Sequence, residues 1–169
     1  MTMRGTIIDQ TNQLLKPENI YNNPGNIEAT QEFAGQIGTY GDGRFAEFDS
    51  AEMGMRALAM DLNSKMKQFD GNVFKMIEKY APYNENKTVR YSNFVTKELG
   101  KKTVTFDDMP ELMSAIIKFE NTDQTKNYYL NDPKKMQMAL ALAFNEDGSN
   151  RQFDSGISFE QAKKLAGLE

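Results

Sequence analysis

The sequence contains no cysteine and no histidine. The first absence excludes a disulfide framework, a thiol nucleophile and a thiolate metal site. The second removes Ser-His-Asp chemistry and the commonest transition-metal ligand. Any catalysis must therefore run on carboxylates, hydroxyls, lysine or arginine, and no metal or organic cofactor is implied. Long apolar runs are also missing: nothing approaches the roughly 20 residues of a membrane span, so a soluble chain is expected. The opening residues 1–19, MTMRGTIIDQTNQLLKPEN, hold no apolar core of signal-peptide length, so nothing directs export by the usual route. Nor is there a surplus of positive charge. Twenty Lys and Arg stand against 24 Asp and Glu, a net charge of −4, and the basic residues are scattered rather than gathered in a stripe. That pattern argues against holding nucleic acid by phosphate neutralisation.

What is present is a chain of 169 residues, 39% hydrophobic and 26% charged, enough for one domain with a real core. Helix signals dominate it. Asp49 and Glu52 have capping-box spacing, and Met53, Leu58, Leu62, Met66 and Phe69 follow at helical intervals, predicting a helix over 51–69. Asp70-Gly71-Asn72 breaks it, and a short helix over 73–80 precedes Pro82. Thr88 can cap a third helix that stops at Gly100, and Asp108 with Pro110 and Glu111 opens a fourth over 109–124. Asp132-Pro133 starts another, and Ser158 with Gln161 caps a last one ending near residue 168. Strand signal is confined to residues 32–48, two short arms around Tyr40-Gly41-Asp42-Gly43 that read as a small β-hairpin or wing. The expected class is mainly α with a small β-hairpin. Residues 1–19 read as an N-terminal arm, 20–144 as the domain, and 145–169 as a flexible polar linker with a C-terminal helix. Within that tail, DGSNRQFDSGISFE brings a calcium loop to mind, but Glu160 falls four residues after Gly156 instead of six, and the spacing fails.

The stretch MPELMSAIIKFENTDQ raises the functional question. Leu112, Met113, Ile116 and Ile117 stand eight, seven, four and three residues before Glu120, so a carboxylate continues the apolar face of the helix. Burial and the negative end of the helix dipole would both raise its pKa, which is what a general acid needs. The plain alternative is that the stripe ends at Ile117 or Phe119 and Glu120 turns to water.

Three segments bear on that choice. NNPGNI at 22–27, GDGRFAEFDSAEMGMRA at 41–57 and APYNENKT with Tyr91 at 81–91 resemble, in this order, a family of phage proteins described as virion structural or murein-degrading. The likeness covers about residues 20–125. The first two segments are also similar to the Asn-rich loop and β-wing of lysozyme-like glucosaminidases and lytic transglycosylases. In those enzymes the catalytic Glu ends a helix placed before this portion, whereas here Glu18 lies in a Pro-flanked loop. The phage family carries its helix-ending acid late, in a pattern like apolar-apolar-x-His-Glu-Asn-Gly. That pattern matches Ile116-Ile117-Lys118-Phe119-Glu120-Asn121-Thr122, with Phe119 and Thr122 departing from it.

The resemblance implies a lysozyme-like α+β domain in circularly permuted order, with Glu120 facing the NNPGNI loop and the wing. It implies a phage-virion enzyme, made in the host cytoplasm, that attacks the β-1,4 bonds of peptidoglycan glycan strands as a lytic transglycosylase or a muramidase or glucosaminidase. Glu120 would be the general acid. Glu85, or Asp42, would be a second carboxylate if the reaction is a two-acid hydrolysis. Asn22, Asn23, Asn26, Tyr91 and Asn121 would bind sugar. Each has a bland counterpart: Asn-Pro-Gly is a turn signal, Tyr91 can be a half-buried helix residue, and Glu85 a solvated turn residue. A second function stands beside the enzyme: a catalytically inactive structural or plug protein of a phage particle or tail, with other virion or tail proteins as partners.

Overall fold

Ser50 begins the longest helix. In the computed structural model, which describes residues 20–82 and 84–169, its hydroxyl accepts the Met53 N–H at 3.1 Å and α1 runs Ala51–Gln68. The cap is thus Ser50 rather than Asp49, whose carboxylate instead accepts the backbone N–H of Phe159 at 2.8 Å, 110 positions away. Met55, Leu58 and Leu62 of α1 are fully buried in the main core. Helix α2 (Val73–Tyr80) is capped by Asn72. Helix α3 (Glu85–Leu99) is capped by Asn84, four residues earlier than the Thr88 start expected from sequence, and stops on Gly100 at φ 72°. A 3-10 turn, Phe106–Asp108, then leads into α4 (Met109–Glu120). Asp108 stands at the N-cap position of α4, as expected, but its carboxylate makes no capping bond to that helix and instead accepts the Thr105 N–H at 2.8 Å.

Two features differ from the expected layout. The stretch expected as one helix over 109–124 breaks at Asn121, and Thr122 caps a separate helix α5 (Asp123–Leu130). Thr122 and Thr125 satisfy each other's backbone donors there, a local signal that ends one helix and starts the next. After α6 (Pro133–Ala143), the polar segment read as a linker folds back onto the domain. Arg151 N–H bonds the Ala143 carbonyl at 2.7 Å, Gly35 N–H bonds the Ile157 carbonyl at 2.7 Å, and α7 (Phe159–Ala166) buries Ala162 completely.

The one sheet among the described residues is an antiparallel pair, β1 (Gln36–Tyr40) with β2 (Phe45–Phe48), Tyr40 opposite Phe45, with an irregularity between Gln36 and Gly38. Ala46 and Phe48 of β2 are fully buried against Met53, Ala57, Leu142 and Ala162, a second core between wing and α7. The fold is therefore mainly helical with a small antiparallel sheet, as the sequence predicts. Among the described residues no helix is long and apolar enough to cross a membrane. The expected N-terminal arm, with Glu18, lies outside the described residues.

Candidate functional site

The NNPGNI loop is built before it can do anything. Its first two asparagines are buried and spend their amides on backbone. Asn23 donates to the carbonyls of Ile27 (2.9 Å) and Ala46 (2.8 Å) and accepts the Ile27 N–H at 2.9 Å. Asn22 donates to the Phe48 carbonyl at 3.1 Å and accepts the Tyr128 hydroxyl at 3.2 Å. Asn22 and Asn26 hold left-handed backbone, φ 56° and 51°, a region asparagine tolerates better than most residues. The loop lies directly on α1 at Gly54, where any Cβ would collide with the Asn22 carbonyl. That close approach is the reason for a glycine inside a helix, which otherwise costs about 1 kcal/mol. From the other side, the Tyr80 hydroxyl donates to the Gly25 carbonyl.

Helix α4 delivers the acid to this loop. Leu112, Met113, Ile116 and Ile117 are buried, which fixes the helix rotation and leaves Glu120 half-buried at its last turn. Asn26 Nδ2 donates to Glu120 Oε1 at 2.9 Å, and the Tyr40 hydroxyl, at the end of β1, donates to Asn26 Oδ1 at 3.2 Å. Asn121, next after the acid, donates to the Pro24 carbonyl at 2.7 Å and to Ile117 at 2.9 Å, pinning the helix end to the loop. Loop, wing and helix end therefore meet at one carboxylate.

That carboxylate lines a cleft of about 820 Å³. It is lined by the loop from Gly25 to Phe33 with Glu120, by α1 through Arg56, Met60, Asp61 and Lys65, and by Tyr80, Asn150 and Phe153. The volume falls in the range of small-molecule sites. Among the other acids there, Glu28 pairs with Arg44 at 3.1 Å and Asp61 with Lys65 at 2.7 Å. Arg56 is buried and has no carboxylate partner among the described residues. It donates to the Leu142 carbonyl at the end of α6 (3.1 Å) and to Arg151 (2.8 Å), and burial lowers its pKa to about 10. Burial also pushes the Tyr40 hydroxyl up to about 12; a hydrogen bond with the Asn23 side chain opposes the rise, and the Tyr21 hydroxyl and the Glu120 and Glu47 carboxylates add to it, so Tyr40 keeps its proton and can donate. Among the described residues no group of three or more acids is arranged to hold a metal ion.

The residues expected at the site divide. Glu120, Asn26 and Asn121 come together. Asn22 and Asn23 stand behind them as the frame of the loop. Tyr91 is fully buried and stacks on Phe119, ring centroids 3.7 Å apart, in the core rather than along the cleft. Glu85 is exposed in the first turn of α3 and is not among the residues that line the cleft, and Asp42 sits exposed in the wing turn. Tyr40 and Tyr80 were not foreseen. Alternation along β1 puts Gln36, Gly38 and Tyr40 on one face, the signal that would have found Tyr40; for Tyr80 there is only its place just before Ala-Pro. Compared with protein-family models and with curated proteins, the sequence matches none.

Proposed function

We propose that this domain binds a peptidoglycan glycan strand in the cleft beside Glu120 and cleaves its β-1,4 bonds, Glu120 acting as general acid. The observation that carries the reading is the asymmetric hold on that carboxylate: Asn26 donates to Oε1, while Oε2 has no partner among the described residues. A proton on the acid therefore rests on Oε2, the oxygen left to a ligand in the cleft. From there it passes to the leaving glycosidic oxygen as the C1–O bond breaks. The route that needs one carboxyl then lets Glu120 take the proton of the sugar 6-hydroxyl as that oxygen closes on C1, giving an anhydro sugar. It asks nothing of Glu28 or Asp61, which are already paired, whereas hydrolysis would need a second acid such as Glu32 on the cleft wall. The convergence of a helix-ending Glu, an Asn-rich loop and a β-wing supports a lysozyme-like arrangement in permuted order, and the likeness to phage proteins supports a place in the virion. Mass spectrometry of digested peptidoglycan tests the chemistry: anhydro-muropeptides support the one-acid route, products carrying an added water support hydrolysis, and undigested glycan refutes both.

A second reading has an observation of its own. Where the resembled family has His before the acid, this chain has Phe119, stacked on Tyr91 and tilted against Phe94 as core packing. In that reading the domain is a structural part of a phage particle, and its cleft is inert.

A further inference from the structure

The chain of hydrogen bonds that reaches Glu120 has a direction, and its far end is not a residue that faces the reaction. A carboxylate only accepts, so Asn26 must turn its NH₂ toward Glu120. Its carbonyl oxygen then points away, where the Tyr40 hydroxyl meets it at 3.2 Å. The Tyr40 ring is in turn fixed. It lies flat on Tyr21, centroids 4.1 Å apart and planes at 8°, and against Phe45 at 5.3 Å. We infer that Tyr40 is a positioning residue for the acid: by donating to Asn26 Oδ1 it selects the amide orientation that keeps the proton of Glu120 on the oxygen facing the cleft.

The inference rests on the proposed function and explains something that reading leaves open. When Glu120 is protonated, a reversed Asn26 amide becomes a competitor, because its carbonyl would accept the acid's proton and hold it on Oε1, away from substrate. Nothing in Asn26 itself prevents the reversal; its side chain is exposed and both orientations fit the same volume. A donor fixed at Oδ1 opposes it, since reversal would give up the Tyr40 bond to Oδ1. The hydroxyl of the half-buried Tyr40, which stays protonated through neutral pH, supplies that donor.

Tyr40→Phe is the test, because phenylalanine keeps the ring that stacks on Tyr21 and Phe45 and removes the hydroxyl. The first readout is the side-chain amide of Asn26 by NMR, assigned by its loss in Asn26→Ala. In the wild type it should be one protected NH₂ pair whose signals shift in Glu120→Gln. In Tyr40→Phe the protection and the response to Glu120→Gln should both fall. The second readout is turnover of peptidoglycan. Tyr40→Phe should lower kcat on the order of 10-fold with KM little changed, and should cost nothing further in an Asn26→Ala background. An Asn26 amide that behaves as in the wild type, or losses that multiply in the double variant, would overturn the inference. Should the wild type cleave no glycan, the proposed function fails, while the amide measurement still decides whether Tyr40 orients Asn26.

Discussion

Asn26 and Glu120, 94 positions apart, are joined by a 2.9 Å hydrogen bond in which the loop amide donates to the acid at the end of α4. The carboxylate is held by the loop at the start of the described chain rather than by its own helix. Its partner sits on a frame of buried asparagines, a glycine contact with α1 and the two-stranded wing. Changes made behind the loop should therefore reach the acid without touching it.

Asn23 is the strongest point of that frame. Asn23→Ala removes two donated bonds and one accepted bond from a buried loop and leaves the Ile27 and Ala46 groups to find other partners. A loss of about 2–4 kcal/mol is expected in urea unfolding, and glycan cleavage should fall with it even where the protein is still folded.

Gly54→Ala reverses the usual sign of a helix substitution. In an exposed helix the change would gain about 1 kcal/mol, but here the new methyl meets the Asn22 carbonyl. The variant should be less stable by about 1–3 kcal/mol, and a variant as stable as the wild type would show that the loop does not rest on α1.

Glu52 gives the domain a pH dependence. Burial raises its pKa, opposed by its own backbone hydrogen bond and by Lys135 and Lys163, with Asp132 adding to the rise. Below the ordinary carboxylate range both folded and unfolded states hold the proton. As pH climbs through that range and past the raised native value, the folded state must bury a charge, and the favourable contribution is lost. Glu52→Gln should therefore have a higher Tm than wild type at neutral pH, and the difference should close below about pH 4. A difference that persists or grows in acid would contradict the assignment to Glu52.

Tyr91 separates packing from substrate contact. Tyr91→Ala should cost about 3–5 kcal/mol, because a fully buried ring stacked on Phe119 is removed from the core. Tyr91→Phe keeps the stack and should leave cleavage at the wild-type level with a stability loss of about 1 kcal/mol for the missing hydroxyl. A folded Phe variant without activity would put Tyr91 back in contact with substrate.

The helices were legible where apolar spacing and a cap coincide. The stripe of Leu112, Met113, Ile116 and Ile117 foretold the buried face of α4, and the two glycines around Asp42 foretold the wing. What sequence did not show was choice among equivalent signals. Ser50 and Asp49 both cap helices well, and only the tertiary bond from Asp49 to Phe159 settles which does so. The tail from 145 on is polar by composition, yet its backbone ties to Ala143 and Gly35 are invisible to any count of side chains. At the site, the acid and the loop were legible, but Tyr40 was not. Its importance comes from reaching Asn26, whose loop pairs with β2, a relation set by the register of β1 against β2.

The central claim is that Glu120 is the general acid of a glycan-cleaving cleft. Clearing of purified peptidoglycan by wild type beside Glu120→Gln, with unfolding curves for both, tests it most directly. The account predicts clearing by the wild type and a loss of at least about 100-fold in the folded variant. Equal clearing by both would contradict the role of Glu120, and clearing by neither would leave the structural role in a phage particle as the better reading.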